Sequence, residues 1–211
     1  MLHKQQLKWF LFTLSLAVYL SVHAQDKDHN HHNQHQHNAT QPSEELVKPA
    51  FPDTILVDQD GNKHHFYSDL IKGKLVLMNS IYTSCEGSCP VQTAIFARTR
   101  QILGDRVGRD VQMISISLDP VTDTPERLKE FADKHGGAGA GWTFLTGSKQ
   151  DVTEVLQAMD LFAAVPEQHT PIAAVGNEAA GIWMKVINLN APRELASRID
   201  YVKSLGEHKI K

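Results

Sequence analysis

Only two cysteines occur in 211 residues, which excludes a small scaffold stapled by a disulfide framework. Basic residues do not prevail either: 21 Lys and Arg stand against 24 Asp and Glu, for a formal net charge of −3. A surface built for nucleic-acid phosphates needs clustered Lys and Arg, so that class of partner is excluded. Long apolar runs are missing as well. The stretch from Trp9 to Leu20 falls short of the roughly 18 residues that span a bilayer.

That stretch has Lys4 and Lys8 ahead of it and the small residues Val22 and Ala24 behind it, the layout of a secretory signal over residues 1–24. The alternative is a segment that stays in the membrane uncleaved. No cysteine sits at the cleavage position, so a lipoprotein is not indicated. Residues 25–45 follow as a polar linker. Within it, Asp26 to Asn38 holds five histidines and nothing apolar to bury, which predicts disorder. Neutral imidazoles on such a segment can collect copper, zinc or nickel; the plainer alternative is a solvated linker.

From Leu46 to the end at residue 211, strand and helix signals alternate as in one packed domain. Thr54 to Val57 and His64 to Tyr67, joined through Asp58-Gln59-Asp60-Gly61-Asn62, predict a hairpin. Buried strands are expected at Lys74–Ser80 and Val111–Leu118, and a short one at Trp142–Leu145. Helices are expected at Pro90–Leu103, at Pro125 to about His135, at Ser148–Met159 and at Pro192–Leu205. Ile172–Val175 and Ile182–Val186 complete the set as an antiparallel strand pair. Strands separated by helices of this length imply an α/β fold with helices on both faces of a sheet.

Both cysteines lie in Tyr82-Thr83-Ser84-Cys85-Glu86-Gly87-Ser88-Cys89-Pro90, between a strand and the start of a helix. The positive end of the helix dipole favours thiolate, so both Cys85 and Cys89 are expected to have depressed pKa values. A bridge closing so small a loop removes little unfolded-state entropy, which makes a purely structural staple a poor explanation. A redox pair and a metal clamp remain. Thioredoxin-like motifs have two residues between the cysteines and this one has three. Residues four apart on a helical turn lie roughly 5 to 6 Å apart at Cβ, so two thiolates can converge on one soft ion, with an imidazole to complete a copper-like ligand set. Outside the signal segment and the linker the histidines are His64, His65, His135, His169 and His208. His169, in Pro166-Glu167-Gln168-His169-Thr170-Pro171, enters the strand at Ile172 and is the candidate third ligand.

The order of motifs resembles the Sco/SenC family. Those motifs are Cys-x3-Cys-Pro after an apolar strand, Ser117-Leu118-Asp119-Pro120-Val121-Thr122-Asp123-Thr124-Pro125-Glu126-Arg127-Leu128, Gly141-Trp142-Thr143-Phe144-Leu145-Thr146-Gly147, and His169-Thr170. The resemblance covers about residues 46 to 205. It implies a thioredoxin-like fold with a central mixed sheet, an N-terminal β-hairpin and helices on both faces. It also implies a copper ion held by Cys85, Cys89 and His169. The implied role is delivery of copper to the copper A site of cytochrome c oxidase, or reduction of that site's cysteines. Its implied partners are an oxidase subunit or another cuproprotein, and a thiol-disulfide reductase that keeps Cys85 and Cys89 reduced. Together with the signal segment it implies a periplasmic location, tethered to the inner membrane if that segment is retained. It further implies a cis Thr170-Pro171 peptide facing the cysteines.

Two departures accompany the match. Members usually carry Asp or Glu directly before the histidine, a carboxylate that fixes its tautomer, and here that residue is Gln168. The following strand, usually bulky and aromatic, reads Ile172-Ala173-Ala174-Val175-Gly176. Two other functions fit the same residues: a metal-independent thiol-disulfide oxidoreductase acting through Cys85 and Cys89, and a metal buffer centred on the histidine-rich linker.

Overall fold

The computed structural model describes residues 45–47, 49–187 and 191–209. The signal segment and the histidine-rich linker lie outside the described residues, apart from Glu45, which is already in a strand. The strands are β1 (Glu45–Val47), β2 (Ile55–Asp58), β3 (Lys63–His65), β4 (Leu75–Ile81), β5 (Val111–Ser117), β6 (Trp142–Thr146), β7 (Ile172–Asn177) and β8 (Ile182–Ile187). The helices are α1 (Ser88–Leu103), α2 (Pro125–His135), α3 (Lys149–Ala158) and α4 (Pro192–Lys209).

One mixed sheet runs in the order β1-β8-β7-β4-β5-β6-β2-β3. β4, β5 and β6 are parallel, and the remaining pairings are antiparallel. Every residue of β4 is buried, so the strand is covered on both faces, as its uninterrupted apolar sequence requires. The crossovers through α1 and α2 step in one direction along the sheet, and α1 packs against both α2 and α4. β7 lies on the other side of β4, so the chain must return across the sheet. It does so through α3, which packs on β2 and β5. No helix among the described residues is long and apolar enough to cross a membrane.

Local chemistry accounts for the element ends. Thr124 caps α2 by accepting from the Arg127 N–H, Pro125 opens it, and Gly136 closes it in the left-handed conformation at φ 78°. Ser148 caps α3 in the same way, through the Asp151 N–H. The predicted hairpin forms, but its second strand stops at His65. Phe66–Ile71 winds into a π-helical turn, because Phe66 and Ile71 are drawn fully into the core while Asp69 accepts the His65 N–H at 2.7 Å.

The small residues of β7 are explained by its neighbour. Gly176 pairs with Trp183 of β8, and a Cβ at Gly176 would lie 2.2 Å from the indole ring. The aromatic bulk that is missing from β7 is supplied by β8. Trp183 in turn packs edge-on against Phe51, with centroids 4.8 Å apart.

Candidate functional site

β4 delivers the chain to Tyr82 at its carboxyl end, where a turn closes as the Cys85 N–H donates to the Tyr82 carbonyl at 3.2 Å. α1 then begins at Ser88, placing Cys89 in its first turn. Both cysteines are free thiols, Cys85 at 7% exposure and Cys89 at 0%.

The two sulfurs have opposite electrostatics, which corrects the expectation that both are depressed. Burial pushes the Cys85 thiol up, but the Cys89 N–H, 3.4 Å from the sulfur, overrides it together with the Cys89 side chain, the Tyr82 hydroxyl and the Gly87 N–H. The result is a pKa lowered to about 7. For Cys89, burial dominates. The Tyr82 N–H offsets part of it, whereas the Cys85 sulfur adds to it, and the Cys89 pKa is raised to about 12. Helix-end donors thus serve the outer sulfur, and desolvation governs the inner one.

His169 follows a 3-10 turn at Pro166–Gln168. Its Nδ1 lies 2.9 Å from the Pro166 carbonyl oxygen and its Nε2 lies 3.8 Å from the Cys89 sulfur. A carbonyl only accepts, so Nδ1 carries a proton, which in the neutral ring leaves the Nε2 lone pair facing Cys89. In place of the carboxylate missing at Gln168, this backbone oxygen is the acceptor that orients the ring. Gln168 itself is exposed and lines, with Asp160, Phe162 and His169, a surface cleft of about 250 Å³.

Cys85 meets Cys89, and Cys89 meets His169. Among the described residues, however, no three His, Cys, Asp or Glu side chains are gathered tightly enough to hold an ion as they stand. The donor set of two sulfurs and one imidazole nitrogen still suits a soft or borderline ion.

The other histidines are used elsewhere. His64 pairs with Asp58 at 2.8 Å, and His65 lies 3.9 Å from Asp53. His135 packs on Phe131 at 4.6 Å with its pKa lowered by burial, and His208 is exposed near the end of α4. The described residues contain no cis peptide bond. Thr170-Pro171 is therefore trans, contrary to the expectation drawn from the resemblance.

Two buried polar networks hold the cysteine loop in place, and sequence reasoning assigned a role to neither. Asp123 is fully buried and accepts from the Thr83 N–H at 3.1 Å, the Thr83 hydroxyl at 2.6 Å and the Ser117 hydroxyl at 2.6 Å. It ties the residues before Cys85 to the loop after β5. The second network runs from the Trp142 indole N–H to Ser115, from Ser115 to Asn79, and from the Asn79 amide to Gln92, with steps of 3.0, 2.7 and 2.6 Å. It anchors α1 one turn beyond Cys89. Asp123→Ala would strip three donors of a buried acceptor, so it should cost about 3 kcal/mol in urea unfolding. A loss under about 1 kcal/mol would mean that the loop is held otherwise.

A family model described as SCO1/SenC matches residues 40–185. A SCO1 protein homolog of Bacillus subtilis is 36% identical over 108 residues, covering 51% of this chain and 54% of that protein. The chain spans about half the length of the curated relatives it matches. The structure of BsSco, described as having a disulfide switch and as a member of the Sco family of cytochrome c oxidase assembly proteins, is similar at TM-score 0.60 and 30% identity. That match covers 79% of this chain and 96% of BsSco. Bradyrhizobium japonicum ScoI with copper bound is similar at TM-score 0.59 and 25% identity, over 72% of this chain and 99% of that one.

Proposed function

The chain belongs to the SCO1/SenC family, and on that premise we propose that it is an exported copper-binding protein of thioredoxin-like fold. Its role is to deliver copper to the copper A site of cytochrome c oxidase or to reduce the cysteines of that site. Copper is cargo in this reading, held by the sulfurs of Cys85 and Cys89 and by His169 Nε2. One observation carries it: the tautomer fixed by Pro166 turns the His169 lone pair toward the sulfur of Cys89, which in turn meets Cys85. A histidine that served packing alone would have no need of that orientation.

Loading requires the dithiol, because a Cys85–Cys89 disulfide has no thiolate to offer. An oxidising compartment therefore calls for a reductant, the thiol-disulfide reductase named among the expected partners. Cys89 holds its proton at neutral pH and must give it up when the metal binds. Release to an acceptor runs in reverse by exchange of ligands.

A second reading has its own support. A sulfur with a pKa of about 7 beside one of about 12 is the arrangement of an attacking and a resolving thiol, as a metal-independent oxidoreductase would need. The metal-buffer reading rests on the linker, outside the described residues. Copper uptake and thiol-disulfide exchange by the reduced and oxidised full-length protein separate the readings. The copper role predicts one ion per chain for the reduced form, none at the folded domain of the oxidised form, and slower exchange once copper is bound. Fast exchange that equimolar copper does not alter, with no uptake by the reduced form, would favour the oxidoreductase.

A further inference from the structure

A second cleft lies at the opposite end of the sheet from the cysteines. Phe51, Tyr67, Glu178 and Trp183 line it, and its volume of about 340 Å³ suits a small molecule. Glu178 directly follows β7, whose last residue, Asn177, pairs with Leu75 at the start of β4. Cys85 lies beyond the far end of that seven-residue strand, a separation of roughly 20 Å. Phe51 meets Trp183 with ring planes at 63°, so the two rings form a corner rather than a stack. Tyr67 brings a third ring, tethered to the cleft because its hydroxyl donates to one Glu178 carboxylate oxygen at 2.7 Å. The Gly73 N–H donates to the other oxygen at 2.5 Å. Both donors are neutral, and no Lys, Arg or His among the described residues pairs with Glu178. The cleft therefore holds a fixed negative charge beside three aromatic rings, with no cation from the described residues to neutralise it.

We propose that this cleft binds a small quaternary ammonium compound from solution. Aromatic rings attract a cation held within about 6 Å of their centres, and most strongly where water is excluded. Glu178 adds the attraction of its own charge. A bare ammonium group carries three N–H donors that each call for an acceptor, and both oxygens of Glu178 are already engaged. A quaternary nitrogen has no N–H to satisfy, and its methyl groups lose apolar surface to water when they settle among Phe51, Tyr67 and Trp183. The ligand class follows from that difference. None of these residues belongs to the cysteine and histidine site, so the proposal stands apart from the copper reading.

The test titrates the copper-free full-length protein with choline chloride and follows the Trp183 indole N–H resonance by NMR, assigned from its loss in Trp183→Phe. Sodium chloride at equal ionic strength serves as the salt control. Choline should shift the resonance saturably. Its neutral analogue 3,3-dimethylbutan-1-ol, with carbon in place of nitrogen, keeps the shape and loses the charge, and should bind at least about tenfold more weakly. Phe51→Leu removes one ring while keeping apolar bulk, and Glu178→Gln removes the charge while keeping an acceptor for the Tyr67 hydroxyl. Each should weaken choline binding about three- to tenfold. Vesicles of phosphatidylcholine, which present the same headgroup on a lipid surface, form a separate arm and should compete poorly with free choline.

Equal binding of choline and the neutral analogue would overturn the proposal and leave an apolar cleft without charge recognition. So would a Trp183 resonance that choline moves no more than sodium chloride does, or binding that neither Phe51→Leu nor Glu178→Gln weakens. Binding to the vesicles without binding of free choline would overturn it in favour of a lipid surface. The comparison of choline with its neutral analogue uses wild-type protein alone, so it decides the matter even where a variant unfolds.

Discussion

At neutral pH, iodoacetamide added to the reduced, copper-free protein modifies Cys85 and leaves Cys89 almost untouched. With a pKa of about 7, half of Cys85 is thiolate at pH 7, whereas a pKa of about 12 leaves Cys89 essentially protonated. The thiolate populations differ by about 10⁵, and only the thiolate reacts. Intrinsic nucleophilicity works the other way: with a Brønsted coefficient of about 0.4 to 0.5, the more basic sulfur recovers about 100- to 300-fold. The net preference for Cys85 is on the order of a hundredfold or more, and the full burial of Cys89 widens it. The rate at Cys85 should climb as pH rises through about 7 and level off above it, because the depressed pKa exposes thiolate early. Peptide mapping after timed quenching reads both sites. Equal labelling of the two cysteines, or a midpoint near pH 9 for Cys85, would contradict the environments described for them.

Removing the imidazole at His169 should weaken copper binding by at least about a hundredfold, more than the 10–100-fold that loss of an outer partner brings. Gln168→Ala should change the affinity no more than a few-fold. The two variants test different parts of the same loop. In the proposed site His169 supplies the lone pair, and the Pro166 carbonyl, 2.9 Å from Nδ1, holds the ring. The exposed side chain at residue 168 does neither. Competition titration against a chelator of known affinity measures both. A large loss in Gln168→Ala would mean that the side chain before the histidine matters as an acid would, and that the backbone oxygen is no substitute.

The fold was legible where the sequence is unambiguous. The all-apolar run of β4, the Thr124-Pro125 start of α2 and the Gly136 stop are local signals, and the structure uses them as local physics dictates. β1 escaped notice because three residues carry no periodicity, and its pairing with β8 is decided by the sheet edge it meets. The turn at Phe66–Ile71 was likewise hidden, since two core-seeking residues at its ends override the alternation that precedes them.

At the site, Cys85, Cys89 and His169 could be singled out from spacing and motif, but not their environments. The dipole argument treated two sulfurs four residues apart as equivalent. Burial separates them, and burial is a property of packing that no spacing encodes. The roles of Pro166 and Asp123 were out of reach for a similar reason. A backbone carbonyl has no sequence signature, and the bonds from Asp123 to Thr83 and Ser117 join three separate segments. The signal that could have pointed to Asp123 was its place directly before the Thr124-Pro125 start of α2, an acid that the cap itself does not use.

The central claim is that the reduced dithiol and His169 together hold one copper ion. Titrating reduced full-length protein with Cu(II), followed by sulfur-to-copper charge-transfer absorption, tests it most directly beside Cys85→Ala, Cys89→Ala and His169→Ala. The account predicts a band that saturates at one equivalent in wild type, disappears in either cysteine variant and is shifted and weakly held in His169→Ala. A band of the same position and affinity in His169→Ala, or no band in the reduced wild type, would contradict it.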